Sequence, residues 1–405
     1  QAEDGIRDVE RSRGLGDVYK RQEKNYFLTG NKAHFHRFCD GSFQTKWCGF
    51  WNGGLKFFDY FAFRINKEWV SPEKCRNFYG DECSASHSYL LNGLEVNEFL
   101  FITEKYRNLA VIFSIQNREK EEKILNVEME IGINIRDYKE NFHERTYEVK
   151  EYKKRFLIVS SKGCLSIGSF PSGNLEGEHK YREHFPSNEK QRIFIPGMYK
   201  VKTYLPPSGK VDIFFLFSGG REESESINEF EGSFFSLLSS YLEKKVKKNN
   251  LRRIAYLKTN IDFLDNLFEV SVLGLESLFH SSNLGKGYFA GLPWFLQFWG
   301  RDLGWCIPAI VDYGNFESAR DSLKLLCKFQ SPEGQIPNFI ELDGNVDYRS
   351  ADSTFLWIIG LEHYLRNSGD LAFLKKVLPF LERSLKWIES RKEDNLIKNF
   401  EKETW

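Results

Sequence analysis

A change of hydrophobic period near residue 220 constrains this chain more than any other feature of its sequence. Before it, apolar residues recur at every second position or in short runs. Leu125-Asn126-Val127-Glu128-Met129-Glu130-Ile131-Gly132-Ile133-Asn134-Ile135 alternates as a strand with one buried face must. Apolar runs at 57–63, 110–115 and 211–217 are separated by Gly, Asn, Pro and charged residues, and Asn52-Gly53-Gly54 and Pro206-Pro207-Ser208-Gly209 are turn signals. Many short strands at close spacing specify an antiparallel β-sandwich over residues 23–219. After it, the period lengthens to that of a helix.

Residues 222–248 read as one helix with Ile227, Phe230, Phe234, Leu237, Leu238, Tyr241 and Leu242 on one side. Its basic end, Lys244, Lys245, Lys247, Lys248, Arg252 and Arg253, is read as a solvated helix terminus rather than a phosphate contact. Residues 220–253 thus form a helical linker. Helical segments follow over 254–405. Those at 257–279, 316–329 and 371–388 are amphipathic, the last with Leu374, Val377, Leu378, Leu381, Leu385 and Ile388 on its apolar stripe. Those at 302–311 and 352–365 are apolar on nearly every side and are expected to be buried; Pro308 predicts a kink in the first. Half-exposed and buried helices in alternation imply two concentric layers. The loops from outer to inner helix, 280–301, 330–351 and the one starting at Ser390, then share one rim.

Composition removes several classes of function. Lys+Arg and Asp+Glu each number 57 in 405 residues, which argues against a nucleic-acid partner. No apolar run is long enough to span a membrane. The seven cysteines, Cys39, Cys48, Cys75, Cys83, Cys164, Cys306 and Cys327, are odd in number and irregular in spacing, as in a reduced, cytoplasmic protein. His34, His36 and Cys39 lack the companions of a metal motif and read as strand residues, so neither metal nor cofactor is expected. The cluster Trp47-Cys48-Gly49-Phe50-Trp51-Asn52 reads as core plus turn before it reads as a sugar platform. Residues 1–22 lack an initiator Met and a hydrophobic signal core, and resemble translated sequencing-adapter sequence; they are set apart as a non-native-looking tail.

Chemistry concentrates on the rim. Pro293-Trp294-Phe295-Leu296-Gln297-Phe298-Trp299-Gly300-Arg301-Asp302 sets four aromatic side chains against an Arg-Asp pair. Aromatic faces cover the C–H surface of a sugar, a guanidinium donates from a fixed fork, and a carboxylate accepts from hydroxyls. The second loop adds Glu333, Gln335, Asn338, Asp347, Tyr348, Arg349 and Asp352, with Ser350 as the expected N-cap of the next helix and Asp352 in its first turn. Taken singly, each segment also reads as an ordinary helix start with a local ion pair. Together they point to a site for a neutral, polyhydroxylated ring.

Three segments in order resemble the amylo-α-1,6-glucosidase family, the glycogen debranching enzymes of bacterial and archaeal type. They are Ala290-Gly291-Leu292-Pro293-Trp294-Phe295 with Trp299-Gly300-Arg301-Asp302, then Gly334-Gln335-Ile336-Pro337-Asn338, then Tyr348-Arg349-Ser350-Ala351-Asp352-Ser353-Thr354 with Trp357. The resemblance implies the first part of an (α/α)6 barrel over 254–405, behind an N-terminal antiparallel β-sandwich. It implies an inverting glycoside hydrolase acting on the α-1,6-linked glucose of glycogen, limit dextrin or another branched α-glucan. An acid and a base would stand roughly 6.5–9.5 Å apart. It also implies substrate-binding roles for Trp294, Trp299, Arg301, Asp302, Asn338, Tyr348, Asp352 and Trp357. The family's general acid lies in a Thr-Trp-Met-Asp motif, and this sequence ends Thr404-Trp405. The expectation is therefore a fragment that lacks both catalytic carboxylates and is inactive alone. A glucoamylase- or trehalase-like α/α-barrel glucosidase, or a non-catalytic glycan-binding protein, would use much of the same residue set; the combined motifs favour debranching.

Overall fold

The computed structural model describes residues 24–140, 145–184, 191–394 and 396–398. The adapter-like tail and the Thr404-Trp405 end lie outside the described residues. The chain divides into two compact units, one ending at Val246 and the other beginning at Lys247.

The first unit is built on two antiparallel sheets, of ten and eight strands among the described residues. In the eight-stranded sheet Ser84–Leu91, Leu94–Ile102 and Asn108–Asn117 run as a meander, and Lys210–Gly220 joins beside the last. Its tightest turn pairs Leu91 with Leu94 across Asn92 and Gly93, at φ 40° and 78°. Asn-Gly tolerates those left-handed values, and the resulting turn matches strand twist. In the other sheet Lys123–Asp137 lies between Leu55–Ile65 and Met198–Leu205. Leu125, Val127, Met129, Ile131, Ile133 and Ile135 all enter the core, as their alternation requires. The opposite face departs from expectation, because Glu130, Asn134 and Arg136 are buried as well. Each has a polar reason to be there. Tyr60 Oη donates to Glu130, Asn134 donates to Asp59, and Arg136 donates to the Lys46 carbonyl.

The core between the sheets is aromatic. Phe63 lies with ring centroids 4.4 Å from Phe113 and 4.9 Å from Phe215, and Phe61 stacks on Phe217 at 5.9 Å. Each such ring stabilises the fold by roughly 1.5–3 kcal/mol relative to exposure. Arg37 and Glu98 form a buried ion pair at 2.8 Å inside this core. Trp51 is buried too and stacks with Trp47 at 6.0 Å, so the aromatic cluster around it is packing. All seven cysteines are free.

The single helix read over 222–248 is two, α1 (Glu223–Phe234) and α2 (Leu237–Ile254). At the break, Ser233 and Ser236 bond back to the carbonyls of Phe230 and Gly232. Such back-bonding competes with the helical ladder. Lys244 is not solvated: it is buried, and its ammonium donates to the carbonyls of Thr29 and Ile102.

The second unit carries α3 (Asp262–Glu276), α4 (Gly300–Asp312), α5 (Phe316–Lys328), α6 (Ser353–Ser368) and α7 (Leu371–Ser390). Helices α4 and α6 approach closely because two glycines allow it. A Cβ on Gly304 would lie 2.5 Å from Leu356 Cβ, and one on Gly360 would lie 3.1 Å from Ile307 Cγ2. Helix α5 packs on both. The two helices are not buried all round, since Trp305 and Ile359 are 69% and 55% exposed. On α7 the buried face is also rotated from expectation. Phe373, Val377, Ser384 and Trp387 are buried, while Leu378 and Leu385 are exposed. The two aromatic rings bring more area to the core than the leucines they displace.

Candidate functional site

The first motif begins as a tight turn. Gly291 and Phe295 exchange backbone hydrogen bonds at 3.0 and 3.3 Å, which leaves Trp294 and Phe295 projecting, 52% and 44% exposed. Rings then follow one another from Trp294 to Phe295, Trp299 and Phe339, with centroids 6.5, 6.4 and 4.8 Å apart. Exposed aromatic faces of this kind are costly to leave in water and suit an apolar ligand surface.

A three-stranded antiparallel sheet joins the two rim loops. Phe298–Trp299 pairs with Phe339–Ile340, which pairs with Val346–Asp347. The ladder continues as Gly300 N–H donates to Asn338 O at 2.7 Å and Asn338 N–H donates to Asp347 O at 2.7 Å. Gly300 is required here, because a Cβ would sit 2.1 Å from the Pro337 carbonyl oxygen. Sequence reasoning placed both loops on one rim but did not foresee the sheet; its strands are two residues long and have no periodicity to read.

Arg301 and Asp352, 51 positions apart in sequence, meet across this junction with Arg301 Nε 2.7 Å from Asp352 Oδ2. The contact is not aligned as a hydrogen bond, and Nε has no hydrogen-bond partner. Their side chains stay 28% and 41% exposed. Asp352, rather than the expected Ser350, occupies the N-cap position of α6, while Ser350 supplies an oxygen to Ser353 N–H and donates to Asp352 Oδ1. Asp302 lies in the first turn of α4, where the helix dipole favours a negative charge. Partial desolvation pushes its carboxyl above the usual range. The nearby Asp352 charge acts in the same direction, and Arg301 and the residue's own backbone N–H oppose it. Arg301 and Asp302 line a recess of about 210 Å³ with Leu275, Tyr288, Phe289 and Cys306.

The remaining expected ligand residues divide. Asn338 is tied to Asp347 through its backbone and, at 3.4 Å, its amide. Tyr348 is half-buried with its hydroxyl donating to Phe329 O at 2.8 Å, so it braces the loop. Trp357 is fully buried with its indole N–H on Leu323 O at 3.3 Å. The expectation that Trp357 touches a ligand is corrected: a large ring on the packed face of α6 gains more from the core. Two organising residues went unassigned in the sequence. Buried Gln335 donates its amide to the carbonyls of Tyr348 and Ser350, and Phe339 packs on Trp299. Neither role leaves a spacing signal.

Among the described residues, no group of three His, Cys, Asp or Glu side chains could hold a metal ion, and no helix is long and apolar enough to cross a membrane. The arrangement can grip a neutral polyol through one guanidinium, two carboxylates and an aromatic track.

Residues 261–397 match the family model described as Amylo-alpha-1,6-glucosidase. No curated protein matches the chain by sequence. Two solved structures share its fold over 91% of its length. One, from human microbiome, is named as a kojibiose phosphorylase, with 12% identity and a TM-score of 0.60. The other is a bacterial glucoamylase complexed with acarbose, with 13% identity and a TM-score of 0.56. The chain spans 57% of the length of each. Both the sheet-rich first unit and the helices that follow therefore have counterparts in known folds. Over residues 261–397 the chain is thus similar to the amylo-alpha-1,6-glucosidase family, and over 91% of its length it shares the fold of the two solved structures.

Proposed function

We propose that the rim of the helical unit holds the terminal glucose of a branched α-glucan, in a protein whose reaction is hydrolysis of the α-1,6 branch linkage. The observation that carries this reading is the Arg301–Asp352 pair, which brings two motif-bearing loops together beside Asp302 and Trp299 and remains open to solvent. Arg301 donates to ring hydroxyls, Asp302 and Asp352 accept from them, and Trp299 and Trp294 cover C–H faces. Asn338 and Tyr348 brace the loop that presents Asp352. The helices form part of an (α/α)6 barrel, and free cysteines suit a reducing, cytoplasmic setting.

Neither the acid nor the base of an inverting reaction is assigned to a described carboxylate. Asp352 is engaged by Arg301 and Ser350, and Asp347 by Arg349 and Asn338, as ligand-holding or loop-bracing groups are. Asp302, which faces the recess, is assigned to grip through the ring hydroxyls. The chain as it stands is expected to bind glucan without turning it over.

Competitive binding of glycogen limit dextrin, maltotriose and trehalose to the full chain tests the proposal. Preference for the limit dextrin supports the debranching reading. Preference for maltotriose would replace it with a glucoamylase-like one, and preference for trehalose with a trehalase-like one. No binding of any sugar would remove the site.

A further inference from the structure

The recess beside Arg301 and Asp302 is underpinned by a polar knot that the motifs do not include. Glu276 is the last residue of α3 and is 8% exposed. A carboxylate at a helix C-terminus opposes the macrodipole, and burial adds a desolvation cost. Three donors offset both, and all converge on one oxygen. Tyr288 Oη donates to Glu276 Oε1 at 2.6 Å, Asn315 Nδ2 donates to it at 2.8 Å, and Tyr313 Oη donates to it as well. Burial, then the Glu276 charge, pushes both phenols well above their ordinary range, so they remain donors.

The knot joins separate pieces of the unit. Tyr288 ends the strand Lys286–Tyr288, Tyr313 follows α4, and Asn315 caps α5 by accepting from Ser318 N–H. Tyr288 and Leu275, the neighbour of Glu276, both line the recess that also holds Arg301 and Asp302. Tyr288 presents its ring to that space while its hydroxyl is engaged behind it. Its ring also packs on Phe279 at 5.1 Å.

We propose that Glu276 is a positioning residue for the sugar recess: by anchoring the Tyr288 hydroxyl it fixes the ring that walls the space beside Arg301 and Asp302, and so sets ligand affinity. This rests on the reading of the rim as a glucan site. Glu276 itself touches no sugar; its effect passes through Tyr288.

The test is titration of the full chain with glycogen limit dextrin and, separately, with maltotriose, each followed by tryptophan fluorescence well below the unfolding temperature. Wild type, Glu276→Ala, Glu276→Gln and Tyr288→Phe are compared, with Tm measured for each. Removing a hydrogen bond to a charged group is expected to weaken binding by about tenfold in Glu276→Ala and Tyr288→Phe. Glu276→Gln keeps the accepting oxygen and should recover most of the affinity. A purely structural knot would lower Tm and leave the affinity of the folded protein unchanged in every variant, which overturns the proposal. If Glu276→Ala does not fold, Tyr288→Phe and Glu276→Gln decide the matter alone. Wild type that binds no sugar would overturn the glucan reading and this proposal together; wild type that binds, with variants that bind equally well, overturns this proposal only.

Discussion

Arg37 with Glu98 in the sandwich, and Arg301 with Asp352 in the helical unit, are the same two functional groups in opposite surroundings. Arg37 and Glu98 are 5% and 1% exposed. Every direction around them is filled: Arg37 Nε donates to Gly41 O, its guanidinium lies over Phe43 and Phe61, and Tyr89 and His87 approach Glu98 at 3.1 and 3.2 Å. Burial alone would push Glu98 up, yet the Arg37 charge and His87 hold it down at about 2. Arg301 and Asp352 have a similar spacing, but their side chains remain 28% and 41% exposed. The first pair has finished its bonding within the fold. The second has donors and acceptors left to offer. Surroundings, rather than residue type, separate a structural ion pair from one that can hold a ligand.

The largest effect should come from breaking the closed pair. Glu98→Ala leaves a buried guanidinium without its counter-charge and is expected to cost about 3–5 kcal/mol, read from denaturant unfolding. A much smaller loss would place the two pairs in the same class. Acid should act next. Burial lowers His36 from 6.5 to about 4. Between those values the unfolded chain binds a proton that the folded one does not, so stability falls as pH falls. The loss from His36 should reach on the order of 3 kcal/mol by pH 4. Glu98, at about 2 when folded and 4.5 when not, extends the loss to lower pH. Hydrogen exchange along Lys123–Asp137 as a function of pH measures it, and pH-independent protection would contradict the assignment. Gly300→Ala should cost about 1–3 kcal/mol, because the Pro337 carbonyl cannot yield without parting the rim sheet. Unchanged stability of the helical unit would show that the loops are not stitched as described.

The same contrast explains what could be read in advance. Strict alternation over 125–135 and the lengthened period after 220 gave away the sheets and most helix positions, because burial acts on every residue of such a stretch. Surfaces closed by single contacts were not legible. The buried reverse face of the Lys123–Asp137 strand depends on Tyr60, Asp59 and Lys46, all distant in sequence. In the site, Trp299 and Trp357 look alike as letters. One packs on Phe339 at the rim and the other is sealed behind α6, and only the register of α6 decides which. Motif resemblance located Arg301, Asp302 and Asp352. It included Gln335 without giving it a role and did not reach Glu276; their work is done through carbonyl and tyrosine partners rather than on a ligand.

The smallest expected stability change accompanies the most informative loss of function. Arg301 and Asp352 are both partly exposed, so Arg301→Ala should alter unfolding free energy by less than about 1 kcal/mol. The direct measurement is calorimetric titration of glycogen limit dextrin into wild type, Arg301→Ala and Asp302→Asn, each confirmed folded. The rim described here predicts binding by wild type and a loss of about tenfold or more in both variants, as charge-assisted hydrogen bonds to the sugar disappear. Equal affinity in all three proteins would contradict it.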